Sequence, residues 1–362
     1  MGISVGIIGL PNVGKSTLMN AICHAGAEAS NYPFCTIDAN RGTVPVPDER
    51  LGKLAAILKP KEIIPATVAF IDIAGLVKGA HRGEGLGNKF LHHVREASVL
   101  AHVLRCFRDE EVSHMYGTID PLLDIEIVET ELMLADVERV ERWLDKERTR
   151  AKALKKEERR ELEFLESVHA SLVRGEPFGP DKAPAPMKAL YDELQLLTSK
   201  PRLVVLNTGY DDPAGRGAEC ARVIEKFGEK NAFVVSAKLE DELDALSDEE
   251  RTEFVKELGV DERAKLRFIE KCHELLGLVR YYTSAHEKLQ AWSVPRGTSA
   301  PRAAGRIHTD MERGFVKAEV MSYEHLVYHG SRAAVHTHGF LRTEGHEYVI
   351  QDGDVVQFHF NA

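Results

Sequence analysis

The stretch Gly9-Leu10-Pro11-Asn12-Val13-Gly14-Lys15-Ser16 decides the fold. It fits the pattern GxxxxGK[ST], and it lies between a strand-like run and a helix-like run. Upstream, Ile3 to Leu10 is β-rich and mostly apolar; downstream, Ser16 to Ala25 reads as a helix. In a strand, loop and helix of this kind the glycines let backbone N–H groups wrap a β-phosphate. Lys15 supplies a point charge at the β and γ phosphates, and the Ser16 hydroxyl can ligate Mg²⁺. The helix N-terminus adds partial positive charge at the same place.

Working outward, Thr67 to Ile73, Leu100 to Cys106, Arg202 to Asn207 and Ala232 to Ser236 are short apolar runs bounded by polar residues or glycine. They suit the buried parallel strands of an α/β sheet. The first ends in Asp72-Ile-Ala-Gly75, a DxxG pattern in the order expected after a P-loop. Its carboxylate can hold magnesium through water, and the Gly75 N–H can sense a γ-phosphate, which makes the following segment a nucleotide switch. Gly75 to Gly87 contains five glycines and is expected to be mobile without γ-phosphate; an ordinary surface loop is the alternative. Thr36, in NYPFCTIDAN, is a candidate second magnesium ligand because it lies between the P-loop helix and the DxxG strand.

The base-reading segment departs from pattern. Guanine readers carry NKxD after this strand, with the acid accepting two hydrogen bonds from the base; here the residues are Asn207-Thr208-Gly209-Tyr210. The Asn is present and the acid is missing. Ser236-Ala237-Lys238 resembles the SAK loop that supports a base from the other side. Guanine specificity has no support in these residues.

Between the α/β runs lies a different texture. Ile125, Val128, Leu132 and Ala135 recur at helical spacing, as do Leu162, Leu165, Val168 and Leu172. They predict two long helices forming an antiparallel pair, inserted into the α/β domain. Where they turn, residues 148–160 (RTRAKALKKEERR) carry seven basic and two acidic side chains, a net of +5. That cluster is a solvated tip or an RNA contact. After about residue 279 short strand-like stretches such as Phe315 to Val320 and Val355 to Phe360 predict a small α+β domain. The predicted division is residues 1–117 and 201–278 for a P-loop domain, 118–200 for a helical coiled-coil insert, and 279–362 for the last domain.

Composition sets bounds on all of this. The 362 residues, with 43% hydrophobic and 29% charged, suit two or three globular domains, and no apolar run approaches the ~20 residues that span a bilayer. The start of the chain lacks the basic region of a signal peptide, so a cytosolic protein without a membrane partner is expected. The net charge of -10 argues against nonspecific coating of nucleic acid while leaving room for a local basic patch. Five scattered cysteines, none in a CxxC pair, read as reduced thiols. His336-Thr-His338 has no supporting carboxylate or cysteine pattern and reads as exposed polar surface.

GLPNVGKST, NYPFCTIDAN, DIAGLVKGAHRGEGLGNKF, RAAGRIHTDMERGF and QDGDVVQFHFNA together resemble the YchF family, the Obg-like P-loop ATPases of the translation-factor GTPase class, over nearly the whole chain. The resemblance implies a G domain, an inserted coiled coil and a C-terminal TGS domain with a β-grasp fold. It implies ATP hydrolysis, often in preference to GTP, with ribosome association and links to stress and redox responses. It also points to rRNA contact through the helical tip and the TGS domain. By position it implies that Asn12, Val13, Gly14, Lys15, Ser16 and Thr17 hold the phosphates, with Lys15 also catalytic. Ser16 and Thr36 ligate magnesium, and Asn207 with Thr208 borders the base, beside Ser236 and Ala237. The family's usual base motif is NxxE, and Tyr210 stands where that Glu would be, so neither ATP nor GTP preference is fixed. After DxxG comes Leu76 rather than a water-orienting Gln. His114 matches the position of the family's proposed catalytic histidine, and Asn12 matches a P-loop Asn that ligates K⁺ in some relatives.

Two functional classes fit these residues. One is an enzyme whose ATP hydrolysis drives a switch at the ribosome; the other is a nucleotide-gated ribosome-binding or RNA-binding module in which hydrolysis is slow and secondary. A small-molecule kinase lacks any acceptor or lid signature here.

Overall fold

The computed structural model describes residues 3–28, 37–38, 40–76, 86–150, 156–258, 264–285 and 287–361. The strands in chain order are β1 (Ser4–Ile8), β2 (Ile37–Asp38), β3 (Arg41–Pro45), β4 (Glu62–Ile64), β5 (Thr67–Asp72), β6 (Val99–Arg105), β7 (Arg202–Asn207), β8 (Ala232–Val235), β9 (Leu278–Ala285), β10 (Lys288–Pro295), β11 (Phe315–Ser322), β12 (Arg342–Glu344) and β13 (Asp354–Phe360). The first helices are α1 (Lys15–Glu28), α2 (Glu49–Leu58), α3 (Leu86–Glu96), α4 (Pro121–Arg150) and α5 (Lys156–Val173). Two compact units divide the chain. Met1–Ala21, Asp38–Arg41 and Phe70–Ala264 form the first, and Ile22–Ile37, Gly42–Ala69 and Lys265–Ala362 the second.

In the first unit β5, β1, β6, β7 and β8 lie side by side in that order. β1 pairs parallel with β6, β6 with β7, and β7 with β8; the registers place Gly6 opposite Leu100, Leu104 opposite Leu206, and Asn207 opposite Val235. Every residue of β1 and β6 is buried, which is why their sequences are continuous apolar runs rather than alternating ones. The five expected strand runs correspond to these five strands. Parallel order sends the segments after β1, β6, β7 and β8 out at one carboxyl edge, where α/β sheets bind ligands.

α4 and α5 form the expected helical hairpin. Val140, Leu144, Phe164, Leu165, Val168 and Leu172 make one buried cluster, joined by Phe178, Tyr191, Leu194 and Leu196 from the return segment. The periodicity read at Leu162, Leu165, Val168 and Leu172 therefore marks the α5 side of the seam, whereas α4 meets it with Val140 and Leu144, further along than the set read from the sequence. At its base Ile125 joins Leu104, Val204 and Leu206 of the sheet. Asp136 fixes the hairpin further. Its buried carboxylate accepts from Leu197 N–H, Thr198 N–H and the Thr198 hydroxyl, at 2.8, 2.9 and 2.8 Å. Of the basic tip, Arg148 pairs with Glu166 at 3.1 Å and Arg159 and Arg160 are exposed; the side chains of 149–158 lie outside the described residues.

The second unit is a mixed sheet in the order β12-β11-β13-β9-β10-β4. The two stretches anticipated from sequence become β11 and β13, which pair antiparallel, and β13 runs parallel to β9. The β9–β10 hairpin, turning near Glu287 (φ 62°), carried no distinct turn signal. Residues 42–69 were grouped with the P-loop domain from sequence, yet here β4 adds to β10 in parallel and α2 packs by Leu51 and Leu54 onto Tyr282, Leu289 and Leu326. A polar network ties that segment down. Arg50 Nη1 pairs with Asp352 Oδ2 at 2.8 Å, and Arg280 Nη1 donates to the Pro47 carbonyl at 2.8 Å. These partners lie more than 200 residues apart in sequence, which is why no local pattern announced them.

Cys23, Cys106, Cys220 and Cys272 are in no disulfide among the described residues, and Cys35 lies outside those residues. No described helix is long and apolar enough to cross a membrane.

Candidate functional site

The loop after β1 bends where the sequence permits it. Gly9, Asn12 and Gly14 have φ of 150°, 62° and 93°, values that L side chains rarely adopt and that Asn tolerates best after Gly. A Cβ on Gly14 would collide with the Asn207 amide, so that glycine also permits a close approach. Lys15 is buried, with Nζ donating to the Leu10 carbonyl at 2.7 Å. Burial pulls its pKa down to about 8, opposed by the charge of Asp72. An ammonium held this way is short of compensating charge, which phosphate oxygens supply.

Ser16 Oγ donates to Asp72 Oδ2 at 2.8 Å, while Asp72 Oδ1 is buried and has no hydrogen-bond partner among the described residues. A hydroxyl and a carboxylate with a free oxygen, side by side, are the hard donors that suit Mg²⁺, so the residues present fit the ion. Thr36, the other expected ligand, lies outside the described residues, as do 77–85 of the glycine-rich segment. The start of that segment is described. Leu76 N–H donates to the Gly9 carbonyl at 3.2 Å with its side chain fully buried. A Cβ on Gly75 would stand 2.9 Å from Pro11 N and 3.1 Å from Lys15 Nζ, so glycine is what lets this backbone reach the P-loop. Leu76 faces the core and cannot orient a water.

Toward the base end a cavity of about 500 Å³ is lined by Gly14, Thr17, Phe107, Asn207, Tyr210 and Lys238, among others. Asn207 is buried and acts as a brace: its Nδ2 donates to the Val13 carbonyl at 2.8 Å and its Oδ1 accepts from Ala237 N–H at 3.0 Å. One side chain thus joins the P-loop to the Ser236-Ala237-Lys238 loop. Thr208 N–H bonds the Val235 carbonyl at 2.9 Å, and Ser236 Oγ is buried without a hydrogen-bond partner among the described residues. Tyr210 forms a wall. Lys238 Nζ lies 5.6 Å from its ring centroid, and burial with the nearby acids Glu242 and Asp241 pushes its pKa up. It presents a π-face and no acceptor carboxylate. Asp211, the next residue, lines the same cavity.

The segment after β6 closes the third side. Asn12 Nδ2 donates to the Ser113 carbonyl at 3.2 Å, which brings the segment to the P-loop. The next residue, His114, has a side chain only 5% exposed and both ring nitrogens engaged. Nδ1 accepts from Tyr116 N–H at 3.3 Å, so Nε2 carries the proton toward Asp124 Oδ2 at 3.2 Å. Asp124 sits in the first turn of α4, and burial pushes its carboxyl pKa up while His114 opposes the shift. His114 therefore lies one residue from a P-loop contact with its ring turned to the helical insert. The sequence reading missed Arg105, whose buried guanidinium organises this segment. A cation closing an otherwise apolar strand was the available signal.

Two family models match. The YchF-GTPase_C model, described as "Protein of unknown function (DUF933)", covers residues 278–361, and a model described as "50S ribosome-binding GTPase" covers residues 4–158. The chain is 45% identical to the ribosome-binding ATPase YchF of Bacillus subtilis and 44% identical to that of Haemophilus influenzae, each across 100% of both chains. A solved structure of the Schizosaccharomyces pombe YchF GTPase matches with a TM-score of 0.85 and 33% identity, over 99% of this chain and 97% of that one. A GTP-binding protein from Pyrococcus horikoshii shares the fold, with a TM-score of 0.59 at 19% identity.

Proposed function

This chain belongs to the YchF family of ribosome-binding ATPases, and from that membership we propose that it hydrolyses ATP with Mg²⁺ at the P-loop of its first unit, as a nucleotide-dependent switch in translation or the stress response. The observation that carries the assignment of the site is the brace at Asn207, which links the phosphate loop at Val13 to the base loop at Ala237. Phosphates would meet Asn12 to Thr17 and the Gly75 N–H, with Lys15 lending charge. Ser16, Asp72 through water, and Thr36 would hold Mg²⁺, which when bound neutralises phosphate charge. Asn207, Thr208, Ser236 and Ala237 would border the base.

The finer assignments follow the same residues. The Asn12 side chain carries an oxygen beside the phosphates that suits K⁺, a charge source of the kind an arginine finger supplies elsewhere. His114 would orient the attacking water in place of the buried Leu76. The basic tip, with exposed Arg159 and Arg160, and the C-terminal domain would meet rRNA phosphates. Tyr210 accepts either purine by its face, so ATP and GTP should differ little in affinity. A side-by-side calorimetric titration of ATP and GTP with magnesium tests this. A preference above a hundredfold would require a base reader other than Tyr210.

One observation favours the second reading, a nucleotide-gated binding module. Both ring nitrogens of His114 are already engaged, which suits slow turnover unless a partner releases the ring. Ribosome stimulation of hydrolysis separates the two.

A further inference from the structure

Arg105 is the last residue of β6 and one of the largest fully buried side chains of the protein. Its guanidinium serves three carbonyls of one segment: Nε donates to Phe107 O at 3.2 Å, Nη1 to Val112 O at 2.8 Å and Nη2 to Asp109 O at 3.1 Å. The same group lies 4.6 Å from the centroid of the Phe107 ring. Phe107, Arg108, Asp109 and Val112 all line the base cavity, and Ser113, next in sequence, receives the amide of Asn12 from the P-loop. A single planar cation, with its donors in a fixed fork, therefore shapes the segment that touches both ends of the site.

We propose that Arg105 is a positioning residue, which holds residues 107–114 as one piece so that the wall of the base cavity and the segment carrying Ser113 and His114 are set together. The inference rests on the reading that nucleotide binds at this P-loop. Arg105 itself touches neither phosphate nor base. Its effect passes through Phe107 on the base and through Ser113 on Asn12, so base occupancy and hydrolysis share one support. Lysine keeps the charge and most of the length but offers a single nitrogen, which cannot satisfy three carbonyls spread over six residues.

The test compares wild type, Arg105→Lys and Arg105→Met by calorimetric titration with Mg-ADP and with magnesium pyrophosphate, and by single-turnover ATP hydrolysis. Pyrophosphate reports the P-loop alone, whereas ADP also reports the base wall. Losing hydrogen bonds to a charged group predicts that Arg105→Lys weakens ADP about tenfold and pyrophosphate less than about twofold. Hydrolysis at saturating ATP should fall about tenfold as well, with Arg105→Met worse on both readouts. An ADP-to-pyrophosphate affinity ratio unchanged in Arg105→Lys overturns the proposal, whether neither ligand is weakened or both are weakened equally, as in a general loss of fold. If Arg105→Met does not fold, Arg105→Lys decides alone. Failure of the wild-type protein to bind either ligand would instead refute the P-loop reading.

Discussion

The Ser16 hydroxyl donates to Asp72 Oδ2 across 2.8 Å, bringing the first residue after the P-loop lysine onto the acid that ends β5, and Asp72 Oδ1 is left buried without a hydrogen bond from any described residue. These two side chains come from segments 56 residues apart and form one oxygen-donor pair. Asp72→Asn keeps the shape and removes the charge. It should raise the magnesium concentration needed for half-maximal hydrolysis by about tenfold or more, while ADP affinity without magnesium changes little. A magnesium titration of hydrolysis checks this, and an unchanged midpoint would remove Asp72 from the ion's environment.

Lys15 predicts a proton signature. Burial brings its pKa to about 8 from the ordinary 10.5, so the neutral form is well populated at mildly alkaline pH. Phosphate favours the ammonium, and ADP binding at pH 8 should take up roughly half a proton, seen as a buffer-dependent binding enthalpy. The sign for stability is opposite. Between about 8 and 10.5 the unfolded chain binds more protons than the folded one, so stability rises with pH across that window. Lys15→Ala should lose the rise along with most binding and turnover. Binding enthalpies independent of the buffer would contradict this picture.

His114 and Asp124 give a split between binding and rate. His114→Ala should lower single-turnover ATP hydrolysis by about tenfold to a hundredfold with nucleotide affinity nearly unchanged. Asp124→Asn, which keeps an acceptor for Nε2 but no charge, should lower the rate less. An unaltered rate in His114→Ala removes it from the mechanism and leaves it as a structural link between the segment after β6 and α4.

For Tyr210 the expected outcome concerns the base. Tyr210→Ala should weaken ATP and GTP alike by about tenfold, the size of a lost stacking face, while leaving pyrophosphate affinity unchanged. Tyr210→Glu should separate the two purines by adding a carboxylate acceptor. Equal purine affinities in Tyr210→Glu would show that position 210 does not read the base.

Much of this architecture is legible in the chain because it depends on local patterns. β1, β6 and β7 are apolar runs since both faces of each are covered, and Leu165, Val168 and Leu172 repeat at helical spacing since they form a seam. Glycines at 9 and 14 announced the loop because the backbone there leaves them little alternative. What stayed hidden is contact between distant segments. Nothing near Glu62–Ile64 in sequence tells that they pair with Lys288–Gln290, and although Arg105 stands out as a cation closing a mostly apolar strand, nothing tells which three carbonyls it gathers. Asn207 was read as a neighbour of the base, while its buried amide spends its bonds on Val13 and Ala237. Those partners are distant in sequence and were not visible in it.

The central claim is that hydrolysis at this P-loop is coupled to the ribosome. Its most direct test is single-turnover ATP hydrolysis with magnesium, with and without purified ribosomes, for wild type and Lys15→Ala. Ribosomes should raise the wild-type rate by at least about tenfold and leave Lys15→Ala flat. Nucleotide-dependent ribosome binding with no change in the wild-type rate would contradict it and favour the gated binding module.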